Sequence, residues 1–395
     1  MRGDDAAEGV AAGQDNAAVV DFNGGSTGRV ESRQERAFNQ RATAGRAPVR
    51  FGVFVEDGMA LAADSLHVHK GNDWPALVAT PVPPQVAPIP PQVAAGARYT
   101  GDMHPPVRLV AIDMDGTLLP TFSGTISQRN AKALKAAQEA GMIVAIATGR
   151  RMAYTAPLLD GLALRADMPL ITSNGAVTRT LGGGLLDRSH LDSKVARGIC
   201  GLLRPFGALV FTFDRPGHGE LVLEDLEQAH GRIALWVESN RGAIEVMKPL
   251  ERALVDGDDP IQGMLAGGLS KMRQAEKALK ASEWSTQCES VRTEYPARDL
   301  SILDLLPQGV SKGWALERLA GQLGVDRKET MAIGDNWNDV DMLEWAGQSI
   351  LMGNAAQDLR TMARMRGWKQ APPNDEDGVA VVLEAAVARR ASAKV

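Results

Sequence analysis

The amino-acid sequence predicts an α/β fold, in which a Rossmann-like, doubly wound parallel sheet forms a core that carries an inserted α+β domain. From residue 105 onward, short apolar segments alternate with helical segments, and polar residues directly follow several of the apolar segments. This alternation is typical of parallel sheets that bind ligands at the carboxyl ends of their strands. The alternation of strands and helices is interrupted once along the chain. We therefore expect a core formed by 105–188 and 299–395 and an inserted domain spanning 189–298.

Composition narrows the class of protein. The chain has 395 residues and is 44% hydrophobic, which suffices for two globular domains, and its formal net charge of -5 provides no broadly basic surface for nucleic acid. It contains no run of eighteen apolar residues and no secretory signal, so we expect no membrane association and a cytoplasmic location. Cys200 and Cys288 lie far apart outside any CxxC spacing, which favours free buried thiols. Oligomeric state is not indicated.

Residues 1–104 differ from the rest of the chain. They show no periodicity and include the proline-rich segment Thr80–Pro91. Such a segment favours an extended polyproline conformation and cannot pair as a central strand, so we predict a largely disordered extension. Met103 stands just before the first core strand. An alternative hypothesis is that translation begins there and that 1–102 is a misassigned extension, which N-terminal sequencing of the native protein would test.

The first core strand carries the most informative residues. An apolar run from Val107 to Ile112 ends in Asp113-Met114-Asp115-Gly116-Thr117. A short apolar run closed by glycine predicts a buried strand. Asp113 and Asp115 are two residues apart, so in extended chain they leave on the same face and repel each other unless a cation lies between them. The sequence therefore predicts a metal site.

The next elements continue the parallel pattern. Ser127 can cap an alanine-rich helix that Gly141 ends, and strands are predicted at Met142–Ala147 and Leu170–Ser173. The triplet Gly182–Gly184 predicts a hairpin. Polar residues again follow the two strands, at Thr148-Gly149 and Asn174-Gly175.

The inserted domain and the return to the core are predicted from the same periodicities. In the insertion we expect helices at 193–203 and 269–281 and strands at 208–213 and 220–223. In the returning segment we expect a helix at 312–323, a strand at 330–333 followed by Gly334-Asp335, a helix at 339–345, a strand at 349–352 and a helix at 379–390.

Together these motifs closely resemble a known family. Asp113-x-Asp115-Gly116-Thr117, Thr148 at a second strand end, Lys312 at a helix start and the segment Gly334–Asp339 follow the order of the four-motif signature of the haloacid dehalogenase (HAD) superfamily of phosphohydrolases. The insertion, with Ser173-Asn174-Gly175-Ala176, resembles the Cof-type branch, subfamily IIB, which has a large α/β cap of the C2 type. The resemblance covers roughly residues 107–390.

The resemblance implies a role for each motif. Asp113 would be the nucleophile that forms an aspartyl-phosphate, and Asp115 the general acid and base. Thr148 and Gly149 would hold the phosphoryl oxygens, and Lys312 would supply positive charge. Mg²⁺ would be bound by Asp113, by the backbone carbonyl of Asp115 and by Asp335.

Further contacts are less sharply indicated. Asn174 and Asn338 are candidates for substrate binding, although Asn174 is equally compatible with a turn before the hairpin. Asp339 would support the metal shell through hydrogen bonds. Arg150 and Arg151 could recognise a second anionic group or could be a solvated helix start. In the insertion, polar residues near loops that could reach the leaving group are Arg215, His218 and Lys248.

The resemblance implies a Mg²⁺-dependent phosphatase that hydrolyses a small phosphomonoester, such as a sugar phosphate or related metabolite, through an aspartyl-phosphate. Two alternatives stay open. A sugar phosphomutase would return the phosphoryl group to the bound sugar, and product analysis would distinguish it. A receiver-like signalling module also uses an aspartate at a strand end with Mg²⁺, but Asp115 would promote loss of the phosphoryl group that a receiver must retain.

Overall fold

The structure is a computed structural model, and it describes residues 105–392 apart from 122, 123, 216, 228–230 and 256. The predicted extension 1–104 and the alternative start at Met103 lie outside the described residues. Within the described part, no helix is both long enough and apolar enough to cross a membrane. Cys200 and Cys288 are buried and unbridged, as predicted.

An eight-stranded sheet forms the core, which confirms the predicted α/β fold. Its first six strands in spatial order are parallel, and the last two form an antiparallel hairpin around the predicted glycine triplet. In that order the strands are β14 (Lys369–Gln370), β13 (Gln348–Leu351), β12 (Thr330–Gly334), β1 (Leu109–Ile112), β2 (Ile143–Ala147), β3 (Pro169–Thr172), β4 (Val177–Thr180) and β5 (Leu185–Arg188).

The predicted helices are present with bounds that differ by about two residues or less, whereas the helices at 152–159, 234–240 and 357–366 are not among the predicted elements. Two helices are capped by serine. Ser127 Oγ accepts the N–H of Asn130 at 3.0 Å, and Ser311 Oγ accepts the N–H of Trp314 at 3.1 Å. The helices are α1 (Gln128–Glu139), α2 (Met152–Leu159), α3 (Ser193–Leu203), α4 (Ala234–Asn240), α5 (Leu269–Lys280), α6 (Lys312–Gln322), α7 (Val340–Trp345), α8 (Gln357–Arg366) and α9 (Gly378–Ser392).

The central strand β1 is buried on both faces, which explains its unbroken apolar sequence. Val110 and Ile112 belong to the apolar cluster that contains residues of α1 and α9. Leu109 and Ala111 belong to the cluster on the opposite face, with residues of α6 and α7. The sheet is therefore covered by helices on both sides, and its polar chemistry is confined to the strand ends.

A second, six-stranded sheet is formed by the intervening chain. In spatial order its strands are β10 (Cys288–Tyr295), β11 (Leu300–Pro307), β9 (Gln262–Gly267), β6 (Leu209–Thr212), β7 (Leu221–Leu223) and β8 (Ile244–Val246). Neighbouring strands are antiparallel except for the parallel pair β7 and β8. Helices α3 and α5 pack on one face, against residues such as Leu303 and Leu305.

Strand β11 corrects one boundary. The sequence assigns 299–395 to the core, yet Leu300–Pro307 pairs over its whole length with β10 and over five residues with β9. An apolar strand carries no local mark of the sheet it joins, because that choice depends on pairing with distant strands. The chain therefore returns to the core sheet after Pro307.

Candidate active site

Asp113 and the loop after it lie at the carboxyl end of β1. Asp113 is 4% exposed, and its N–H donates to the carbonyl oxygen of Ile333 on β12 at 2.9 Å. Gly116 has φ +80°, and a Cβ added there would lie 2.3 Å from Oδ2 of Asp335. Only glycine combines this backbone conformation with so close an approach, so Gly116 allows the carboxylate of Asp335 to contact the loop that follows β1.

Lys312, the first residue of α6, has no exposed surface and reaches two carboxylates. Its Nζ donates to Oδ1 of Asp113 at 2.6 Å and to Oδ1 of Asp339 at 2.7 Å. Burial disfavours the ammonium, but the charges of Asp113 and Asp339 more than offset it and raise the pKa of Lys312 above its ordinary value. Burial, then the charge of Asp339, raises the pKa of Asp113 to about 7 against the opposing effect of Lys312.

Three buried carboxylates converge here. One ligand atom from each of Asp113, Asp335 and Asp339 lies within 4.8 Å of the others. Oδ2 of Asp339 accepts the N–H groups of Asp335 and Asn336, each at 3.0 Å. Asp339 thus holds both Lys312 and the loop that follows β12. Asp335 accepts the hydroxyl of Thr117 at 3.0 Å.

Asp115 is paired with an arginine whose role the sequence left open. Arg150 donates through Nε to Oδ2 of Asp115 at 2.7 Å and through Nη2 to Oδ1 at 2.5 Å. The two side chains are 19% and 13% exposed, so this is a partly buried bidentate pair. Arg150 is therefore neither a solvated helix start nor, in this arrangement, a free cation for a second anion.

The ends of β2 and β3 are joined by backbone contacts. The carbonyl oxygen of Thr148 accepts the N–H of Asn174 at 3.0 Å, and its Oγ1 accepts the N–H of Arg150 at 3.1 Å. Asn174 is buried in a left-handed conformation at φ 52°. A Cβ on Gly149 would lie 3.1 Å from the amide of Asn174, so glycine permits the close packing of these loops.

A cleft opens between these loops and the second sheet. Among the predicted site residues, Asp113, Asp115, Gly149, Asn174 and Asn338 line the cleft, whereas Thr148, Lys312 and Asp335 are buried behind it. The second sheet and its neighbouring helix supply the opposite wall, which includes Trp236, Met264, Tyr295 and Ile302. The structure thus brings all eight predicted residues to one place.

Asp304 is a site residue that the sequence analysis missed. It lies on β11, is 5% exposed, and accepts Nε2 of Gln262 at 2.5 Å and Nδ2 of Asn174 at 2.9 Å. Burial raises the pKa of Asp304 to about 7, although both hydrogen bonds oppose that rise. Asn174 in turn accepts Nδ2 of Asn338 at 3.2 Å. The sequence feature that could have identified this residue is the single aspartate within the largely apolar segment of β11.

Arg151 links the core to the second sheet. Its guanidinium contacts the carboxylate of Glu220, and its Nη2 donates to Oδ1 of Asn240 at 2.5 Å. Both ionised side chains are 9% exposed. Arg151 therefore forms a buried ion pair across the cleft. The structure does not support the hypothesis that it recognises an anion of the substrate.

The three polar residues proposed from the insertion do not line the cleft. Arg215 pairs with Asp258 and stacks on the ring of Phe213. His218 and Lys248 are exposed. Proximity to a loop in sequence did not indicate which loops face the core.

Comparison with known proteins gives a consistent result. Residues 110–383 match the family model of haloacid dehalogenase-like hydrolases. The chain is 31% identical over 299 residues to the 5-amino-6-(5-phospho-D-ribitylamino)uracil phosphatase YwtE of Bacillus subtilis, covering 70% of this chain and 97% of that protein. It is 29% identical to an HMP-PP phosphatase of Serratia proteamaculans, covering 65% and 87%. A haloacid dehalogenase-like hydrolase structure from B. subtilis aligns with TM-score 0.58 and 26% identity over 70% of this chain and 99% of that chain.

Proposed function

The chain belongs to the haloacid dehalogenase-like hydrolases and is a phosphoric monoester hydrolase, and on that premise we propose that it hydrolyses a small phosphomonoester through an aspartyl-phosphate on Asp113. One observation carries the proposal. Asp113 lies at the floor of a cleft with the ammonium of Lys312 2.6 Å away and the carboxylate of Asp335 close by.

Asp113 is suited to nucleophilic attack. Its Oδ1 is held by Lys312, which leaves Oδ2 as the atom we assign to attack phosphorus while the bond to the leaving oxygen breaks. Lys312 stays protonated because two carboxylates raise its pKa, so it offsets negative charge that gathers at the site. Its link to Asp339 fixes the direction in which the ammonium points.

Asp115 lines the same cleft two residues further along and is the group we assign to proton transfer. It would donate a proton to the leaving oxygen and later accept one from the water that hydrolyses the aspartyl-phosphate. Arg150 holds this carboxylate by two hydrogen bonds, which keeps it oriented at the cleft. Thr148 and Gly149 close the adjacent strand end, where the hydroxyl of Thr148 and nearby N–H groups suit phosphoryl oxygens.

The donor set fits Mg²⁺. Carboxylate oxygens of Asp113 and Asp335, with the backbone carbonyl of Asp115, are the hard oxygen ligands that this ion prefers. Gly116 permits the approach of Asp335 that such a site requires. When bound, Mg²⁺ would neutralise charge between the nucleophile and the substrate's phosphoryl oxygens.

We infer that the second sheet acts as a cap of the C2 type that selects the leaving group. It contributes both apolar and polar side chains to the cleft, among them Trp236 and Gln262. The relatives' names specify phosphorylated small molecules, which supports a phosphorylated metabolite as substrate. A cap of this kind excludes water from the reacting atoms when it closes.

The test is a screen of phosphorylated metabolites and p-nitrophenyl phosphate with Mg²⁺, followed by product analysis. We expect free phosphate from at least one ester and none with Asp113→Asn. Glu139→Gln, which changes an exposed carboxylate on α1, is the matched control and should keep full activity. Folded protein that releases no phosphate from any ester would contradict the proposal. Formation of an isomerised sugar phosphate would instead support the phosphomutase alternative.

A further inference from the structure

Asp304 is a buried carboxylate that the proposed reaction does not use. Side chains alternate along β11, so Leu303 and Leu305 face the helices of the second sheet while Asp304 faces the cleft. Within the described part of the chain, no lysine or arginine lies within ion-pair distance of this carboxylate. Its partners are two neutral amides, those of Gln262 and Asn174.

An ionised carboxylate can only accept hydrogen bonds, and this property determines the polarity of the neighbouring amides. Asn174 must present its NH₂ group to Asp304. Its carbonyl oxygen Oδ1 then faces Asn338, and Asn338 must present its own NH₂ group in return. One charge therefore orients a chain of amides that crosses from the second sheet to the loop after β12.

Asn338 lies at the end of this chain and lines the cleft. Asn174 takes one of the two N–H groups of this amide, so a second N–H and the carbonyl oxygen are left for other partners. Among the residues that the structure describes, none donates a hydrogen bond to that oxygen. The N–H suits an acceptor such as a phosphoryl oxygen, and the carbonyl oxygen suits a donor such as a water or a hydroxyl group, so the orientation of the amide decides where each is offered.

We propose that Asp304 is a positioning residue for the phosphatase reaction, acting through Asn174 to fix the orientation of the side-chain amide of Asn338 at the cleft. The inference rests on the proposed function for its catalytic consequence. The amide orientation itself depends only on the hydrogen bonds.

The substitution Asp304→Asn disturbs the chain in a defined way. If the new amide turns its oxygen to Gln262, its NH₂ group meets the NH₂ group of Asn174. Asn174 must then invert, and Asn338 must invert after it. The converse substitution, Asn174→Asp, places two carboxylates against each other at this buried position, which is also unfavourable.

Exchanging the two side chains restores every hydrogen bond. In the double variant Asp304→Asn with Asn174→Asp, residue 304 accepts from Gln262 and donates to residue 174. The carboxylate at 174 also accepts the NH₂ group of Asn338, so Asn338 keeps its original orientation. The exchange therefore tests the direction of the hydrogen bonds along this series of side chains separately from the position of the negative charge.

The experiment measures kcat and KM for p-nitrophenyl phosphate with Mg²⁺ at about pH 8.5, where Asp304 is ionised. Each single variant should lower kcat/KM on the order of tenfold, as expected for the loss of a hydrogen bond to a charged group. The double variant should return to within about threefold of the wild type. An exchange that is no better than the single variants, in folded protein, would overturn the proposal.

A second comparison tests whether Asp304 acts through Asn338. In an Asn338→Ala background, Asp304→Asn should lower kcat/KM by less than about twofold, because the group that it positions is absent. An undiminished effect there would also overturn the proposal. Ser301→Ala is the matched control on the same strand, since its buried hydroxyl has no hydrogen-bond partner among the described residues.

Thermal midpoints of the same proteins keep this test separate from the proposed function. At about pH 8.5 the variant Asn174→Asp should unfold at lower temperature than the wild type, because it places a second carboxylate against Asp304, and the exchange should recover most of that loss. If the wild type hydrolyses no phosphoester but the exchange still restores stability, the hydrolase proposal fails while the amide orientation holds. If the exchange restores neither stability nor activity, the positioning role is wrong.

Discussion

Nζ of Lys312 lies 2.6 Å from Oδ1 of Asp113, although the two residues are 199 positions apart in the chain. The second partner of Lys312, Asp339, is completely buried. This arrangement joins the start of α6 to the ends of β1 and β12. Two carboxylates compensate the cost of burying one ammonium, and the same contacts align the proposed nucleophile.

Replacing Lys312 by methionine should destabilise the protein and abolish activity. The change leaves Asp113 and Asp339 buried without their cation, which costs about 3–5 kcal/mol for a broken buried pair. Urea unfolding at neutral pH would measure this loss. Lys135→Met is the matched control: its ion pair with Glu139 is exposed and should contribute less than about 0.5 kcal/mol. Equal effects of the two substitutions would contradict the role given to Lys312.

Asp115→Asn should allow the first chemical step and block the second when the leaving group is good. With p-nitrophenyl phosphate we expect a burst of about one p-nitrophenolate per enzyme followed by very slow turnover, because p-nitrophenolate needs little protonation but hydrolysis of the aspartyl-phosphate needs a base. Rapid-quench kinetics and intact-protein mass would detect the phosphorylated chain. Turnover at the wild-type rate would show that Asp115 transfers no essential proton.

Gly116→Ala should impair the site far more than Gly161→Ala does. Both glycines have positive φ, at +80° and +77°, so both substitutions carry a backbone cost of about 1 kcal/mol. At Gly116 the added Cβ would also lie 2.3 Å from Oδ2 of Asp335, whereas nothing lies within 4 Å at Gly161. Activity as a function of Mg²⁺ concentration, with thermal midpoints, separates the two effects. Similar profiles would argue against the close approach of Asp335.

Removing divalent cations with EDTA should stop phosphate release, and Mg²⁺ should restore it. Asp335→Asn should raise the Mg²⁺ concentration needed for half-maximal activity by on the order of a hundredfold, because one anionic ligand is lost. Calorimetric titration with Mg²⁺ measures the affinity for the ion in the absence of substrate turnover. Asp341→Asn, an exposed acid in the same segment, is the control and should leave the Mg²⁺ requirement unchanged. Metal-independent hydrolysis would remove the role given to Asp335.

The buried carboxyl group of Asp304 should make stability fall as the pH rises. Burial raises the pKa of Asp304 from 3.8 to about 7, so between these values the folded state binds more protons than the unfolded state does. This contribution is absent below about pH 4 and reaches up to about 4 kcal/mol of destabilisation above pH 7. Relative to the wild type, Asp304→Asn should therefore flatten the decline in urea-unfolding free energy across this range. Ser301→Ala should keep the wild-type slope, and an unchanged slope in Asp304→Asn would refute the prediction.

Much of the candidate site could be predicted because each sequence pattern that indicates it spans only a few neighbouring residues. The apolar run of β1 and the two aspartates that follow it lie within eleven residues. Thr148 and Asp335 likewise follow buried strands directly, and Asn174 is the second residue after β3. Hydrophobic periodicity indicates the strands, and parallel pairing brings their carboxyl ends to one edge. The structure places these residues together, as this parallel pairing predicts.

Residues that depend on distant partners were not predictable in the same way. Arg150 pairs with Asp115 35 positions away, and Asp304 contacts Gln262 and Asn174 at separations of 42 and 130. The sequence showed one aspartate in an apolar strand but not the sheet to which that strand belongs. The boundary near residue 299 was wrong for the same reason, because β11 pairs with β10 and β9.

Local sequence alone was sufficient to determine the order of most of the core strands and helices, the strand ends that carry polar groups, and the family signature. Those properties follow from side-chain periodicity and turn residues over a few positions. The tertiary structure determines that Asp304 lies at the cleft, where it contacts Asn174. It also determines the ion pairs of Arg150 with Asp115 and of Arg151 with Glu220. These outcomes depend on the docking of two sheets, because hydrogen bonds and ion pairs form only where distant segments meet at contact distance.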